Sequence, residues 1–269
     1  MDVQDRLMPR IEEMIEQKQW HDLRDFLAEE PPQDIAELFM DLDQPRRVLL
    51  FRLLTRPMAT DVFSYMEPHY KDELIGDLNR EETSYLLDNL PPDDRTEFLE
   101  ELPGMAIQRL LNLLSPEELK ETRQLLGFPS ESVGRLMTPD YVAVREHWTV
   151  EEALSHIRSV GQESETINWV FVVDDRWHLL DEIELRQIIL AEPTAVVKHL
   201  MDETFPVISA FDDREKAVEV MQHYDVNVIP VVDSEGVLLG IVTADDVLDV
   251  AEEEATEDFH RGAAVAPLK

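Results

Sequence analysis

From Pro31 onward, hydrophobic positions fall into blocks of twelve: PPQDIAELFMDL, DQPRRVLLFRLL, TRPMATDVFSYM, EPHYKDELIGDL, NREETSYLLDNL, PPDDRTEFLEEL, PGMAIQRLLNLL and SPEELKETRQLL. The twelfth position is always Leu or Met, from Leu42, Leu54 and Met66 to Leu126. In seven of the eight blocks positions eight and nine are apolar too, as at Leu38 and Phe39 or Phe98 and Leu99. Apolar residues at i, i+1 and i+4 make one stripe on a helix of about two turns. Proline in the first three positions of most blocks can start such a helix but would break its middle. A two-turn helix is not stable alone in water, so the blocks must stack and share a core, which predicts a superhelix of short helices. Residues 1 to 30 read as amphipathic helix, with Leu7, Ile11, Met14 and Ile15 followed by Trp20, Leu23, Phe26 and Leu27. Thr122 and Arg123 stand at the apolar positions of the eighth block, where the array is expected to end.

The second half carries a different period and an internal duplication. Leu136 to Ile157 matches Leu200 to Met221 at an offset of 64, and, after five extra residues in the first copy, 170–189 matches 228–248. Each copy reads strand, helix, strand, turn, strand, helix, with Asp233-Ser234-Glu235-Gly236 as a hairpin turn. The fold class expected is therefore α plus α/β. A helical superhelix (1–130) precedes two α/β copies (131–193 and 194–250) packed as a pseudo-symmetric pair, and a further helical segment begins in 251–269.

Charge narrows the function classes. Against 24 basic residues stand 59 acidic ones, a net charge of -35 in 269 residues. That argues against nucleic acid and against docking on anionic lipid through a basic face. No cysteine is present, so disulfides, zinc-thiolate sites and cysteine nucleophiles are excluded. No run of 18 apolar residues could span a bilayer. Neither a glycine-rich phosphate loop nor Gly-x-Ser-x-Gly occurs, and the eight histidines fall singly, so no enzyme is expected.

The acids are concentrated in Gly240 to Asp258, GIVTADDVLDVAEEEATED, where Thr243 is a plausible N-cap and Asp245 and Asp246 follow it. Asp246, Asp249 and Glu253 are spaced i, i+3, i+7 and share a helix face. A solvated acidic face is the ordinary explanation of such a run. In the first half, Asp61, Asp93, Asp94 and Glu97 lie off the apolar stripe near helix starts, where the helix dipole already favours acids.

The paired copies, with LM at the start, VIPVVD in the middle and GIVTADDVLDV at the end, resemble a tandem of cystathionine-beta-synthase (CBS) domains. The short-helix repeat, then LMTPDYVAVRE, the pair, and DDVLDVAEEEATEDFHR together resemble the cytosolic part of the MgtE magnesium channels over nearly the whole chain. The resemblance implies a homodimer held through the CBS pair. It also implies that a transmembrane pore domain in the cell membrane follows this cytoplasmic portion, and that Mg2+ binding between acidic domain surfaces compacts the dimer and closes the pore. It assigns Asp61, Asp93 and Glu97 as ligands on the repeat, with Asp246 and neighbouring Asp249 opposite. Glu215, Asp225 and the backbone carbonyl of Gln222 match further Mg2+-binding positions, and Glu254, Glu257 and Asp258 match acids that bridge towards the connecting helix. CBS pairs also commonly bind adenosine nucleotides through a Thr or Ser and an Asp three residues later. Thr243 and Asp246 have that spacing, making ATP a secondary ligand, whereas the first copy has Glu184 and Gln187, and Asp181 in place of Gly240. The rival reading is a free-standing CBS protein that senses adenine nucleotides and regulates a partner.

Overall fold

The computed structural model describes residues 3–265, apart from residues 101, 103 and 163. The described residues divide after Arg123 into two compact units.

In the first unit every twelve-residue block gives one helix that begins at its second position. These are α3 (Pro32–Met40), α4 (Gln44–Leu53), α5 (Arg56–Ser64), α6 (Pro68–Asp77), α7 (Arg80–Asn89), α8 (Pro92–Glu100), α9 (Gly104–Leu111) and α10 (Pro116–Leu125). They follow α1 (Val3–Glu16) and α2 (Trp20–Glu29). The leading segment is thus broken in two at Lys18, whose φ of 55° ends the first helix, and Trp20 is 39% exposed instead of lying in the stripe. One core runs through the unit from Leu7 and Ile11 by way of Phe39, Phe63 and Phe98 to Leu114. Each fully buried Leu or Phe contributes about 1.5–3 kcal/mol relative to exposure.

Position five of the block also points inward, which the apolar pattern did not disclose. Arg47, Lys71, Thr83 and Arg95 occupy it and are buried. Positions five, eight, nine and twelve complete the i, i+3, i+4, i+7 face. The two arginines do the same work four blocks apart. Arg47 donates to the carbonyls of Phe39 and Leu42 and to Glu73. Arg95, 0% exposed, donates to the carbonyls of Leu87 and Leu90, to Thr122 Oγ1 at 2.9 Å, and to Glu118 and Glu121 at 2.7 Å each. The Arg95 fork supplies the carbonyls at the end of α7, whereas Arg47 supplies Leu42 O and reinforces Phe39 O, which also accepts the Leu42 N–H at 3.3 Å. Thr122 is therefore a buried anchor and not a defect in the array.

The second unit holds two three-stranded sheets of equal topology. In the first, β1 (Tyr141–Arg145) pairs parallel with β2 (Thr166–Val173), which pairs antiparallel with β3 (Leu179–Glu184). In the second, β4 (Ile208–Ser209), β5 (Val228–Val232) and β6 (Leu238–Thr243) repeat that order. The helices are α11 (Val133–Leu136), α12 (Val150–Val160), α13 (Leu185–Leu190), α14 (Glu215–Tyr224) and α15 (Ala244–Val265), with a 3-10 turn at Val197–Leu200. Helix α15 runs unbroken through the boundary expected at residue 250.

Each copy's leading segment crosses to the other copy. Thr138 exchanges two backbone hydrogen bonds with Ile241 on β6, both 2.9 Å, and Val133 and Met137 belong to the core of the second copy. Reciprocally, Leu200 and Met201 pack on the core of the first. Gly240 makes the crossing possible, since a Cβ there would stand 2.7 Å from the Thr138 carbonyl oxygen. The first copy uses a side chain at the same place: buried Asp181 accepts the N–H groups of Asp202 and Glu203 at 2.8 and 3.0 Å. Between the sheets, Phe171 and Val173 meet Val228, Leu238 and Ile241.

Candidate functional site

The acids of the first unit lie on two helices joined through their core faces. Phe63 and Phe98 meet edge-to-face at 5.4 Å, which seats α5 against α8. Asp61 precedes the first ring by two residues, and Glu97 adjoins the second. Asp93 and Glu97 are i, i+4 neighbours on α8, so they share its face. Asp93 is 8% exposed, and its Oδ1 accepts the Asp94 N–H at 3.1 Å. The protein around Asp61 partly desolvates its carboxyl and holds it above the usual carboxylate range, although the side chain still reaches solvent. A bound cation would draw it back down.

Helix α14 sets the candidate ligands Glu215, Gln222 and Asp225 at its two ends. Glu215 opens the helix, with its N–H bonded to Asp213, whereas Gln222 and Asp225 lie at its far end. Ten residues at 1.5 Å rise put about 15 Å between them, so one ion in this chain cannot touch both ends. Asp225 caps the helix in the left-handed region, φ 53°, and its N–H bonds Met221 O. Val226 N–H, the i+4 donor to Gln222, also goes to Met221. The Gln222 carbonyl is thus freed from the helix ladder, as a backbone ligand would require.

On α15, Asp246 and Asp249 lie in the first two turns and Glu254 one turn beyond them. Arg214 holds Glu254 at 3.5 Å and Glu131 at 3.0 Å, an engagement that the acidic pattern gave no sign of. The side chains of Glu253, Glu257 and Asp258 lie outside the described residues. Among the described residues no three His, Asp or Glu side chains converge into a ready-made metal cage. The donors are carboxylate and carbonyl oxygens, the hard ligands that suit Mg2+, which keeps several waters and needs only one or two carboxylates per body.

The Thr and Asp of the candidate nucleotide pair meet in the second copy. Thr243, 8% exposed, ends β6, and its hydroxyl bonds the carboxylate of Asp246 at 2.6 Å as well as that of Asp245. The hydroxyl is therefore turned to these two carboxylates at the start of α15. In the first copy, Glu184 and Gln187 close a capping box at the start of α13, and Glu184 also pairs with Arg186 at 2.8 Å. A carboxylate locked in that way is a poor host for a ribose phosphate.

A repeat of short stacked helices followed by two crossed α/β copies with an acidic helix after them defines a helical scaffold joined to a tandem CBS pair. The comparisons agree: residues 30–131 match the MgtE intracellular N domain, and 133–193 and 197–253 each match the CBS domain. The chain belongs to the MgtE family. It is 37% identical over 266 residues to the magnesium transporter MgtE of Thermus thermophilus and 30% identical over 260 residues to that of Bacillus subtilis, matching 98% and 97% of its own length. It spans 59% and 58% of the length of those relatives. The solved cytosolic domain of the Mg2+ channel MgtE in complex with ATP superposes with a TM-score of 0.84 at 36% identity, over 89% of this chain and 98% of that one. The soluble part of a magnesium transporter superposes equally well at 26% identity. Among the described residues no helix is long and apolar enough to cross a membrane.

Proposed function

We propose that this chain is the cytosolic Mg2+-sensing region of a magnesium transporter, with its pore domain in the cell membrane. Mg2+ binds between acidic surfaces, compacts a homodimer held through the CBS pair, and closes the pore. The observation that carries this reading is the distribution of the oxygen ligands. Asp61, Asp93 and Glu97 sit on the repeat, and Asp246 and Asp249 on α15; Glu215 stands a helix length from Gln222 and Asp225. Ions shared between bodies couple occupancy to arrangement, because a cation that binds the compact form better shifts the population towards it. Facing carboxylates repel by about 1 kcal/mol per close pair in water and about 4 at an effective dielectric of 20, so without cations the compact form is opposed. Few inner-sphere contacts place the response in roughly the millimolar range. Ile189 and Leu190 on α13 and Leu248 on α15 are large exposed apolar residues that favour a dimer contact through the pair.

ATP is a second ligand of the same region in this reading. The Thr243–Asp246 pair supports it, and a relative of known structure is described as an ATP complex. The test of the Mg2+ reading is small-angle scattering of this chain in zero and about 20 mM Mg2+, against NaCl at matched ionic strength. A radius of gyration that falls with Mg2+ only, and no longer falls in Asp93→Ala/Asp246→Ala, is the expected result. Equal contraction in NaCl would leave the acids as solvated faces and favour a nucleotide sensor.

A further inference from the structure

The duplicated copies also differ one residue beyond Asp181 and Gly240. Ile241, 0% exposed, sits on β6 in the apolar seam. The matching residue on β3 is Glu182, whose cross-strand partner on β2 is Phe171, itself a member of that seam. Glu182 Oε2 is buried and has no hydrogen-bond partner. Beside it, Asp181 accepts the N–H groups that tether Asp202 and Glu203 to the edge of β3, and Glu203 is held at φ 58°, a conformation a non-glycine residue adopts only under constraint.

We propose that Glu182 is a proton-operated latch: protonated, it lets the crossing segment 201–203 lie on β3, and ionised, it loosens that segment and the seam between the two copies. The groups that act on it are acidic, Asp181 from its own strand and Asp202 from the crossing segment, and β2 offers the uncharged Phe171. Lys198, from the 3-10 turn, is bonded to Glu146 at 2.8 Å and interacts with Glu203. Burial first, and then the charges of Asp181 and Asp202, push the Glu182 carboxyl up to about 8. A folded-state value above the free one means that the closed segment holds a proton that the open segment releases. Closure is therefore strongest below the free value of 4.5, weakens with rising pH, and stops weakening near 8.

The experiment is amide hydrogen exchange on the full chain from pH 6 to 9, corrected for the intrinsic base-catalysed rate, read at Asp202 and Glu203. Their opening constant is expected to rise about tenfold per pH unit up to pH 8 and then level off. In Glu182→Gln it is expected to be flat. Glu182→Ile, which copies the second repeat, gives the same flat profile and serves if the amide variant does not fold. A flat profile in the unsubstituted chain, or the same rise in the substituted chains, overturns the proposal.

Discussion

Replacing Arg95 by Leu tests whether the helical array is held by its buried forks as much as by its leucines. The substitution removes every donor from the carbonyls of Leu87 and Leu90 and from Thr122 Oγ1, which Arg95 now satisfies. A buried polar group left unpaired costs about 1–3 kcal/mol. Two effects offset part of that loss. The guanidinium's own desolvation penalty disappears, and Glu118 and Glu121, whose side chains are 27% and 31% exposed, can rehydrate. The net is about 3–5 kcal/mol, the range for breaking a buried ion network by removing one partner. Arg47→Leu should cost less, about 1–3 kcal/mol, since it strips the donor from Leu42 O alone, Phe39 O keeping the Leu42 N–H, and its Glu73 partner is already 39% exposed. Mass-resolved hydrogen exchange separates the units: protection across α7, α8 and α10 should drop by roughly a hundredfold or more, while β2 and β5 keep theirs. A loss below about 1 kcal/mol, or a larger effect from Arg47 than from Arg95, would refute the capping argument. Because Arg95 sits two residues after Asp93, the variant should also weaken any Mg2+-dependent contraction.

Gly240→Ala forces a Cβ to within 2.7 Å of the Thr138 carbonyl oxygen and 3.1 Å of Met137, so about 1–3 kcal/mol should be lost, read as a lower melting temperature for the CBS pair. An unchanged melting temperature would mean that the crossing segment is not held there. Thr243→Val should weaken ATP binding by about five- to tenfold in calorimetric titration through loss of one hydrogen bond, and Glu184→Thr should have little effect because Gln187 still stands where the second copy has an Asp. ATP affinity that is indifferent to Thr243 would remove the pair from the site.

The twelve-residue register was legible because apolar periodicity reports directly on burial, and the helices begin at the second position of every block. Arg47 and Arg95 were not, since a lone arginine on a helix ordinarily reads as solvated and its burial depends on helix ends that local pattern does not place. The crossing of Thr138 onto β6 was hidden for another reason: a pairing between residues so far apart leaves no local trace. For the candidate site, the acids on α8 and α15 stood out by charge, yet their assignment as candidate ligands came from the resemblance. The distance between Glu215 and Asp225 needed a helix to measure it. Glu182 went unread, although it lies one residue on from the Asp181 and Gly240 mismatch, where a carboxylate stands in place of an isoleucine.

The crossed leading segments also set an order of assembly on the ribosome. Thr138 must wait for Ile241, roughly 100 residues later, before its two backbone bonds can close. The first unit needs no such delay, since its helices pair with neighbours only a few blocks away and can stack as they emerge. The nascent chain thus carries a finished scaffold ahead of an incomplete pair, with Val133 and Met137 uncovered until the second copy is made. A stop or stall between the copies leaves an exposed apolar edge, a substrate for chaperones and proteases in place of half a CBS pair.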